Sequence, residues 1–202
     1  AKILLETLIE RFYFRSTSLA TRPRSRVVPV GGYAEVINML ANTNGLIPSY
    51  VMRAAFLDQD AQASVRDRLR AREEPFSAML NSVEDHVHYL PWTPEVGLTA
   101  FLEGDARTQP QARASLRAAF PTSTVSPDLI AARPAYAAIQ TTKPRLTAKK
   151  KRAYVVEELS LATGYAQRDV TRRLYSVFVD WIYRAGDGPL RALLGPELSR
   201  RP

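Results

Sequence analysis

An apolar run that ends in two carboxylates restricts the fold of this chain more than any other feature. Residues 53–60 read Arg-Ala-Ala-Phe-Leu-Asp-Gln-Asp, and the apolar part has no helical spacing. Such a run predicts a strand buried on both faces, which is typical of parallel sheets covered by helices. Ligands of open α/β sheets bind beyond the carboxyl ends of the strands. The sequence therefore predicts that Asp58 and Asp60 lie at a functional edge of a sheet.

The spacing of the two aspartates indicates a cation site. If the strand continues through Asp58 and Asp60, their side chains share one face and their like charges repel. A divalent cation offsets this repulsion, and oxygen ligands favour Mg²⁺, Mn²⁺ or Ca²⁺ over zinc. The alternative is a solvated turn after a core strand, because acidic residues are common where strands end.

Strand and helix patterns alternate along the first half of the chain. Apolar spacing predicts helices over residues 1–14 and 33–41, and an exposed helix from Asp60 to about residue 73. Shorter apolar runs predict further strands over residues 26–30 and 86–90. This order is expected of an α/β domain.

The strand signal disappears after Pro94. Helices are predicted over residues 95–102, 111–120, 147–161 and 168–183. We therefore predict an α/β domain over residues 1–100 and an all-helical domain over residues 101–202.

The charge of the chain is concentrated in the second half. Residues 1–100 hold 11 Lys/Arg and 11 Asp/Glu, whereas residues 101–202 hold 17 and 9, which accounts for the whole net charge of +8. A basic half beside a carboxylate-bearing half suits a polyanion such as DNA, which one part holds and the other processes. The alternative is a basic surface that keeps the protein soluble.

Cysteine usage and hydropathy indicate the compartment. The chain has no cysteine, which excludes disulfides and cysteine-ligated zinc. No run of 18 or more consecutive apolar residues occurs, and Lys2, Glu6 and Glu10 interrupt the first apolar segment, unlike a signal peptide. These features predict a cytoplasmic protein with no membrane segment.

Three stretches of the first half occur in an order that carries a family resemblance. They are Val28-Pro29-Val30-Gly31-Gly32-Tyr33, Phe56-Leu57-Asp58-Gln59-Asp60 and Tyr89-Leu90-Pro91-Trp92-Thr93-Pro94-Glu95-Val96-Gly97-Leu98. Together they resemble the Toprim domain of the OLD (overcoming lysogenization defect) family of nucleases. The resemblance implies a Toprim-like parallel sheet flanked by helices and followed by an all-helical domain.

The resemblance implies a metal-dependent DNA endonuclease or nickase that hydrolyses phosphodiester bonds. Asp58, Asp60 and Glu95 would then hold one or two Mg²⁺ or Mn²⁺ ions, and two ions about 4 Å apart would assist the in-line displacement. Lys151, with Tyr154 three residues later, resembles the catalytic lysine motif of the family. It would stabilise the charge that grows on the scissile phosphate.

Helix geometry distinguishes Lys151 from its basic neighbours. Residues 151, 155 and 159 share one helix face, and Val155 and Leu159 are apolar. Lys151 is therefore expected nearer to the interior than Lys150, and it ranks ahead of Lys149 as the catalytic candidate. The alternative is that all of these cations belong to a solvated helix start.

Part of the Toprim pattern lies outside this sequence. Toprim domains open with a strand that ends in a catalytic glutamate, and residues 1–6 resemble the helix that follows it. The resemblance implies that this first acidic strand precedes Ala1 in the full-length protein. OLD proteins carry an amino-terminal ATP-binding domain, so the resemblance also implies a preceding ATPase domain as a partner. Its Gly-x-x-x-x-Gly-Lys-Ser/Thr motif does not occur in this sequence.

A second motif supports a DNA-binding module without catalysis. Residues 158–165 and 170–174 have the helix, glycine-bearing turn and basic second helix of a helix-turn-helix. The alternative is a plain helical hairpin whose Leu161, Val170 and Leu174 form core, which is the more frequent arrangement. In either case basic side chains of the second half would contact DNA phosphates. The candidates are Arg113, Arg117, Arg145, Lys149, Arg168, Arg172 and Arg173.

Overall fold

The protein is mostly helical, with a small parallel sheet. The computed structural model describes residues 2–9, 26–43, 45–48, 51, 53–121 and 124–185. In chain order the elements are α1 (Lys2–Leu8), α2 (Tyr33–Asn42), β1 (Ala55–Leu57), α3 (Ala61–Arg70), α4 (Phe76–Asn81), β2 (Val87–Tyr89), α5 (Pro94–Glu103), α6 (Asp105–Thr108), α7 (Pro110–Ala119), α8 (Pro127–Ala131), α9 (Pro134–Ala137), α10 (Pro144–Thr163) and α11 (Gln167–Ala185). None of the described helices combines the length and apolar character needed to cross a membrane.

The chain groups into two compact units. Residues 26–93 form one, here called the sheet unit, and residues 1–25 together with 94–202 form the other, here called the helical unit. Helices α1 and α5, which lie within the predicted first domain, belong to the helical unit.

The sheet consists of β1 and β2, which pair in parallel with Leu57 opposite Tyr89. The Leu90 N–H continues the ladder by donating to the Leu57 carbonyl at 2.8 Å. Parallel strands need a crossover connection, and here α3 and α4 lie in it. The coarse prediction of a parallel sheet accompanied by helices is therefore confirmed.

The strand predicted over residues 26–30 does not form. These described residues belong to no strand, and Val28 and Val30 are 50% and 38% exposed. Pro29 has no N–H to donate to a ladder, which explains why an apolar run of this composition stays outside the sheet.

The core of the sheet unit lies between α2, β1 and the crossover helices. Ile37 and Leu40 stand three residues apart on α2, so they share a face, and both are buried. Phe76 opens α4 and meets the Tyr33 ring edge-on, with 6.1 Å between centroids. The Arg68 guanidinium lies 4.0 Å from the centre of the Phe76 ring. One aromatic side chain therefore joins three helices of this unit.

The helical unit is built around two long helices, α10 and α11. Helix α5 packs on α10, and α1 packs on α11. Val170, Leu174 and Phe178 follow the predicted i, i+4 spacing on α11 and are 0%, 0% and 3% exposed. The prediction that Leu161 belongs to this core is wrong, because its side chain is 78% exposed. Leu161 lies two residues, about 200° of helix rotation, beyond the buried Leu159.

A glycine ends α10, as the sequence motif predicts. Gly164 adopts φ 74° and ψ 3°, the left-handed conformation that glycine reaches without steric cost. Its N–H donates to the Ser160 carbonyl at 2.9 Å, and the Ser160 hydroxyl donates to the Tyr165 carbonyl at 2.7 Å. These bonds close the turn from which α11 begins.

Candidate functional site

Asp58 and Asp60 lie in the turn that connects β1 to α3. The strand ends at Leu57, and the Asp58 carbonyl accepts the Ala61 N–H at 3.0 Å. Asp60 immediately precedes α3 with helical backbone angles. The two carboxylates therefore follow the strand in a turn and do not share a face of an extended strand. Asp58 is partly buried and Asp60 is exposed.

This turn leaves the sheet at its carboxyl edge. Because β1 and β2 are parallel, the residues after Leu57 and those after Tyr89 leave from the same edge. Loops at this edge are the usual ligand-binding elements of α/β sheets. The predicted placement of Asp58 and Asp60 beyond the carboxyl end of a buried strand agrees with this arrangement.

The chemistry of the donors fits a hard cation. Within the part of the chain that the structure describes, no group of three or more His, Cys, Asp or Glu is arranged to hold a metal ion. Mg²⁺ commonly binds through one or two carboxylates and completes its coordination with water and substrate phosphates. Asp58 and Asp60 supply two such carboxylates on a short turn, so they suit Mg²⁺ or Mn²⁺.

Glu95 lies in the helical unit, in the first turn of α5. Its side chain is 14% exposed, and its Oε1 lies 3.5 Å from Nη1 of Arg152 on α10. The Glu95 carbonyl also accepts the Thr99 hydroxyl at 2.8 Å. This candidate metal ligand therefore has a cationic partner within its own unit.

Lys151 points into the helical unit, as the helix geometry predicts. Its side chain is 15% exposed, whereas Lys149 and Lys150 are exposed. Its Nζ lies 2.6 Å from Oε1 of Glu103 at the end of α5. The same ammonium stands 4.9 Å from the centre of the Tyr136 ring. A carboxylate and an aromatic face thus hold this cation in place.

Tyr136 and Glu103 are residues that the sequence patterns did not single out. Tyr136 is 1% exposed, and its hydroxyl has no hydrogen-bond partner of normal geometry among the described residues. Burial, and secondly the negative charge of Glu103, raise the pKa of Tyr136 well above the usual value for tyrosine. The phenol therefore stays neutral beside the Lys151–Glu103 ion pair at physiological pH.

The predicted DNA-contacting cations fall into two groups. Arg145, Lys149 and Arg168 are exposed on α10 and α11, and Arg117 is exposed on α7. Three other arginines contact residues of the helical unit. Arg113 Nε lies 3.3 Å from Oδ2 of the buried Asp128, and Arg172 Nη2 lies 3.8 Å from Oε2 of Glu6. Arg173 Nη1 donates to the Ala119 carbonyl at 3.0 Å.

The predicted catalytic residues are divided between the two units. Asp58 and Asp60 belong to the sheet unit, whereas Glu95 and Lys151 lie on the packed helices α5 and α10. Comparisons with protein-family models, curated proteins and solved structures give no significant match.

Proposed function

We propose that this protein is a Mg²⁺- or Mn²⁺-dependent DNA endonuclease or nickase that hydrolyses phosphodiester bonds from a Toprim-like sheet. The observation that carries the proposal is the position of Asp58 and Asp60, directly after β1 at the carboxyl edge of a parallel sheet. Paired carboxylates at this edge are the donor set that a catalytic hard cation needs.

Each candidate residue has a distinct role in this proposal. The Asp58 and Asp60 carboxylates hold the cation. A bound Mg²⁺ or Mn²⁺ supplies positive charge to the scissile phosphate and makes bound water more acidic. By the resemblance to OLD nucleases, Glu95 would be a further metal ligand and Lys151 a cation that stabilises the scissile phosphate. Within the helical unit these side chains pair with Arg152 and Glu103, respectively.

The distribution of charge supports DNA as the substrate. Residues outside the sheet unit include 22 Lys/Arg and 12 Asp/Glu, whereas the sheet unit has 6 and 8. An excess of cations of this size favours a polyphosphate chain. By the resemblance to OLD nucleases, the proposal includes a preceding ATPase domain in the full-length protein. It also includes a cytoplasmic location.

A nicking assay with matched aspartate variants tests the proposal. Supercoiled plasmid is incubated with the full-length protein, which includes the acidic strand implied before Ala1, and with Mg²⁺ or Mn²⁺. The variants Asp58→Asn and Asp60→Asn are compared with Asp67→Asn. Asp67 is a suitable control because its side chain is 74% exposed on α3, and Arg70 lies 4.0 Å away. We expect both site variants to lose about 100-fold or more of the rate, and the control to retain it.

Metal binding gives a second readout that does not need turnover. Electron paramagnetic resonance of Mn²⁺ measures how much of the ion the protein binds. Asp58→Asn and Asp60→Asn should weaken Mn²⁺ binding, because each removes an anionic ligand, while Asp67→Asn should not. Nicking in EDTA, or full nicking by either site variant, would contradict the proposal.

The second candidate is a non-catalytic DNA-binding module. It is favoured by the hairpin of α10 and α11, with Gly164 in its turn and the exposed Arg168 in the first turn of the second helix. This arrangement has the order of a helix-turn-helix. A gel shift in EDTA, without any cleavage when Mg²⁺ or Mn²⁺ is restored, would favour this function.

A further inference from the structure

Helices α10 and α11 enclose a polar cleft within the helical unit. Its volume is about 250 Å³, and Arg152 and Ala153 line it from α10, while Gln167, Arg168 and Thr171 line it from α11. The lining contains two arginines and one carboxylate, Glu157, and Arg152 also pairs with Glu95 on α5. A cleft with this composition suits a small anionic group.

The two arginines stand on opposite walls of the cleft. Each guanidinium presents five N–H donors in a planar fork, which matches the oxygens of a phosphate. Gln167 and Arg168 also begin α11, a helix of 19 residues, and the start of a helix favours negative charge. Charge and donor geometry in the cleft therefore favour the same kind of ligand.

Arg152 is also held by an ion pair with Glu95 on α5. Its side chain is 24% exposed, and Nη1 lies 3.5 Å from Oε1 of Glu95. An ion pair of this kind limits the rotamers of a long side chain before the ligand arrives, which reduces the entropy lost on binding. The remaining donors of the guanidinium can face the cleft.

We propose that this cleft binds a backbone phosphate of DNA through Arg152 and Arg168. A repeating phosphate chain is favoured over an isolated carboxylate because positive charge continues beyond the cleft. Lys149 is exposed one turn before Arg152 on α10, and Arg145 is exposed one turn before Lys149. The inference deepens the proposed function and rests on it only for the identity of the polyanion.

Binding measured without metal tests the cleft separately from catalysis. Fluorescence anisotropy of a labelled DNA duplex in EDTA gives the Kd across a series of salt concentrations. Arg168→Gln should weaken binding several-fold and reduce the slope of log K against log salt by about 0.9, the loss of one phosphate contact. Arg184→Gln, an equal charge change at an exposed position near the other end of α11, should leave both values near those of the wild type.

A second variant separates the shape of the donor from its charge. Arg152→Lys keeps the positive charge beside Glu95 but removes the planar fork. We expect it to bind DNA more weakly than the wild type while its melting temperature stays unchanged. Binding by Arg152→Lys that equals the wild type would contradict a bidentate phosphate contact at this residue.

The absence of cysteine from the sequence allows a direct test of location. Ala153→Cys places the only thiol of the chain in the cleft, and Ala138→Cys places one at an exposed position after α9. Saturating DNA in EDTA should slow alkylation of the Ala153→Cys variant several-fold and leave the Ala138→Cys variant unaffected.

The possible results separate the two proposals. The cleft proposal is wrong if Arg168→Gln binds DNA as Arg184→Gln does, if DNA leaves the alkylation rate of Ala153→Cys unchanged, or if the protein binds no DNA. Binding and protection in EDTA together with no nicking in Mg²⁺ or Mn²⁺ would support the cleft and overturn only the nuclease.

Discussion

The sheet unit and the helical unit hold opposite excess charges and use their ionic groups differently. The sheet unit is slightly acidic, and its ion pair between Arg68 and Glu73 lies at the surface, with Nε 2.7 Å from Oε2. In the helical unit, which is basic, the pairs Lys151–Glu103 and Arg152–Glu95 are partly buried between α5 and α10. The difference shows that net charge alone does not identify ligand-binding cations, because packing already engages part of the excess.

The largest expected effect tests whether the two units are independent. Phe76→Ala removes a ring that is 2% exposed at the centre of the sheet unit and should cost about 3–5 kcal/mol of unfolding free energy. Trp92 lies in the sheet unit and Trp181 in the helical unit, so variants that keep one tryptophan report each unit separately.

The control for this prediction is Leu174→Ala, which opens a cavity in the helical unit at a side chain that is 0% exposed. We expect Phe76→Ala to lower mainly the transition reported by Trp92, and Leu174→Ala mainly the one reported by Trp181. Equal shifts of both transitions would show that the chain unfolds as one cooperative block.

An intermediate loss of stability is expected when Lys151, a partly buried cation of the helical unit, is removed. Lys151→Met leaves the Glu103 carboxylate without its ammonium partner beside the neutral Tyr136. We expect a loss of about 1 kcal/mol, since Glu103 is 38% exposed and water replaces part of the interaction. Lys150→Met removes an exposed charge from the preceding position and should change the unfolding free energy by less than about 0.5 kcal/mol. Equal effects in a denaturant titration would contradict the inward position of Lys151.

A smaller effect at neutral pH is expected at Tyr136. Its buried hydroxyl makes no hydrogen bond of normal geometry with the described residues, so Tyr136→Phe should change the unfolding free energy by less than about 1 kcal/mol near pH 7. The pKa of Tyr136 is raised in the folded state, so its contribution is complete below the unfolded pKa of about 10 and is lost as pH rises further. The variant should therefore lose less stability than the wild type between pH 10 and 11. If the unfolding free energies of the wild type and Tyr136→Phe fall equally between pH 10 and 11, the raised pKa of Tyr136 is not the cause of the alkaline loss of stability.

The smallest effect is expected at the surface of the sheet unit. Hydrogen bonding to Arg68 lowers the pKa of Glu73, so any stability from this carboxylate exists above its unfolded pKa and is lost as pH falls through the folded one. Because solvent and salt screen this pair, Glu73→Gln should shift the melting temperature only slightly at pH 7. If Glu73→Gln shifts the melting temperature as much as Lys151→Met does, or if its shift persists in 1 M NaCl, the ion pairs of the two units do not differ in strength.

Local patterns predicted the long elements, and distant contacts account for what they missed. The spacing of apolar residues placed α11, because one amphipathic face is enough to define a helix of this length. Short helices such as α6 and α9 span only four residues each, too few to show a periodic pattern.

The features of the candidate site that depend on neighbouring residues were predictable, and its contacts between distant residues were not. The position of Asp58 and Asp60 after a strand, and the inward face of Lys151, followed from residues close in sequence. The contact of Lys151 with Glu103 joins positions 48 residues apart, and only the packing of α5 on α10 brings them together. Sequence spacing carries no information about such a pair.

The Arg152 side chain serves two neighbours, and this has a thermodynamic consequence. Its guanidinium contacts Glu95 and also lines the cleft between α10 and α11. Because the pair with Glu95 limits the rotamers of Arg152, removal of the Glu95 carboxylate should weaken anion binding in the cleft. By reciprocity, an anion bound in the cleft favours the ion pair by the same factor, so α5 is coupled to the cleft through one arginine.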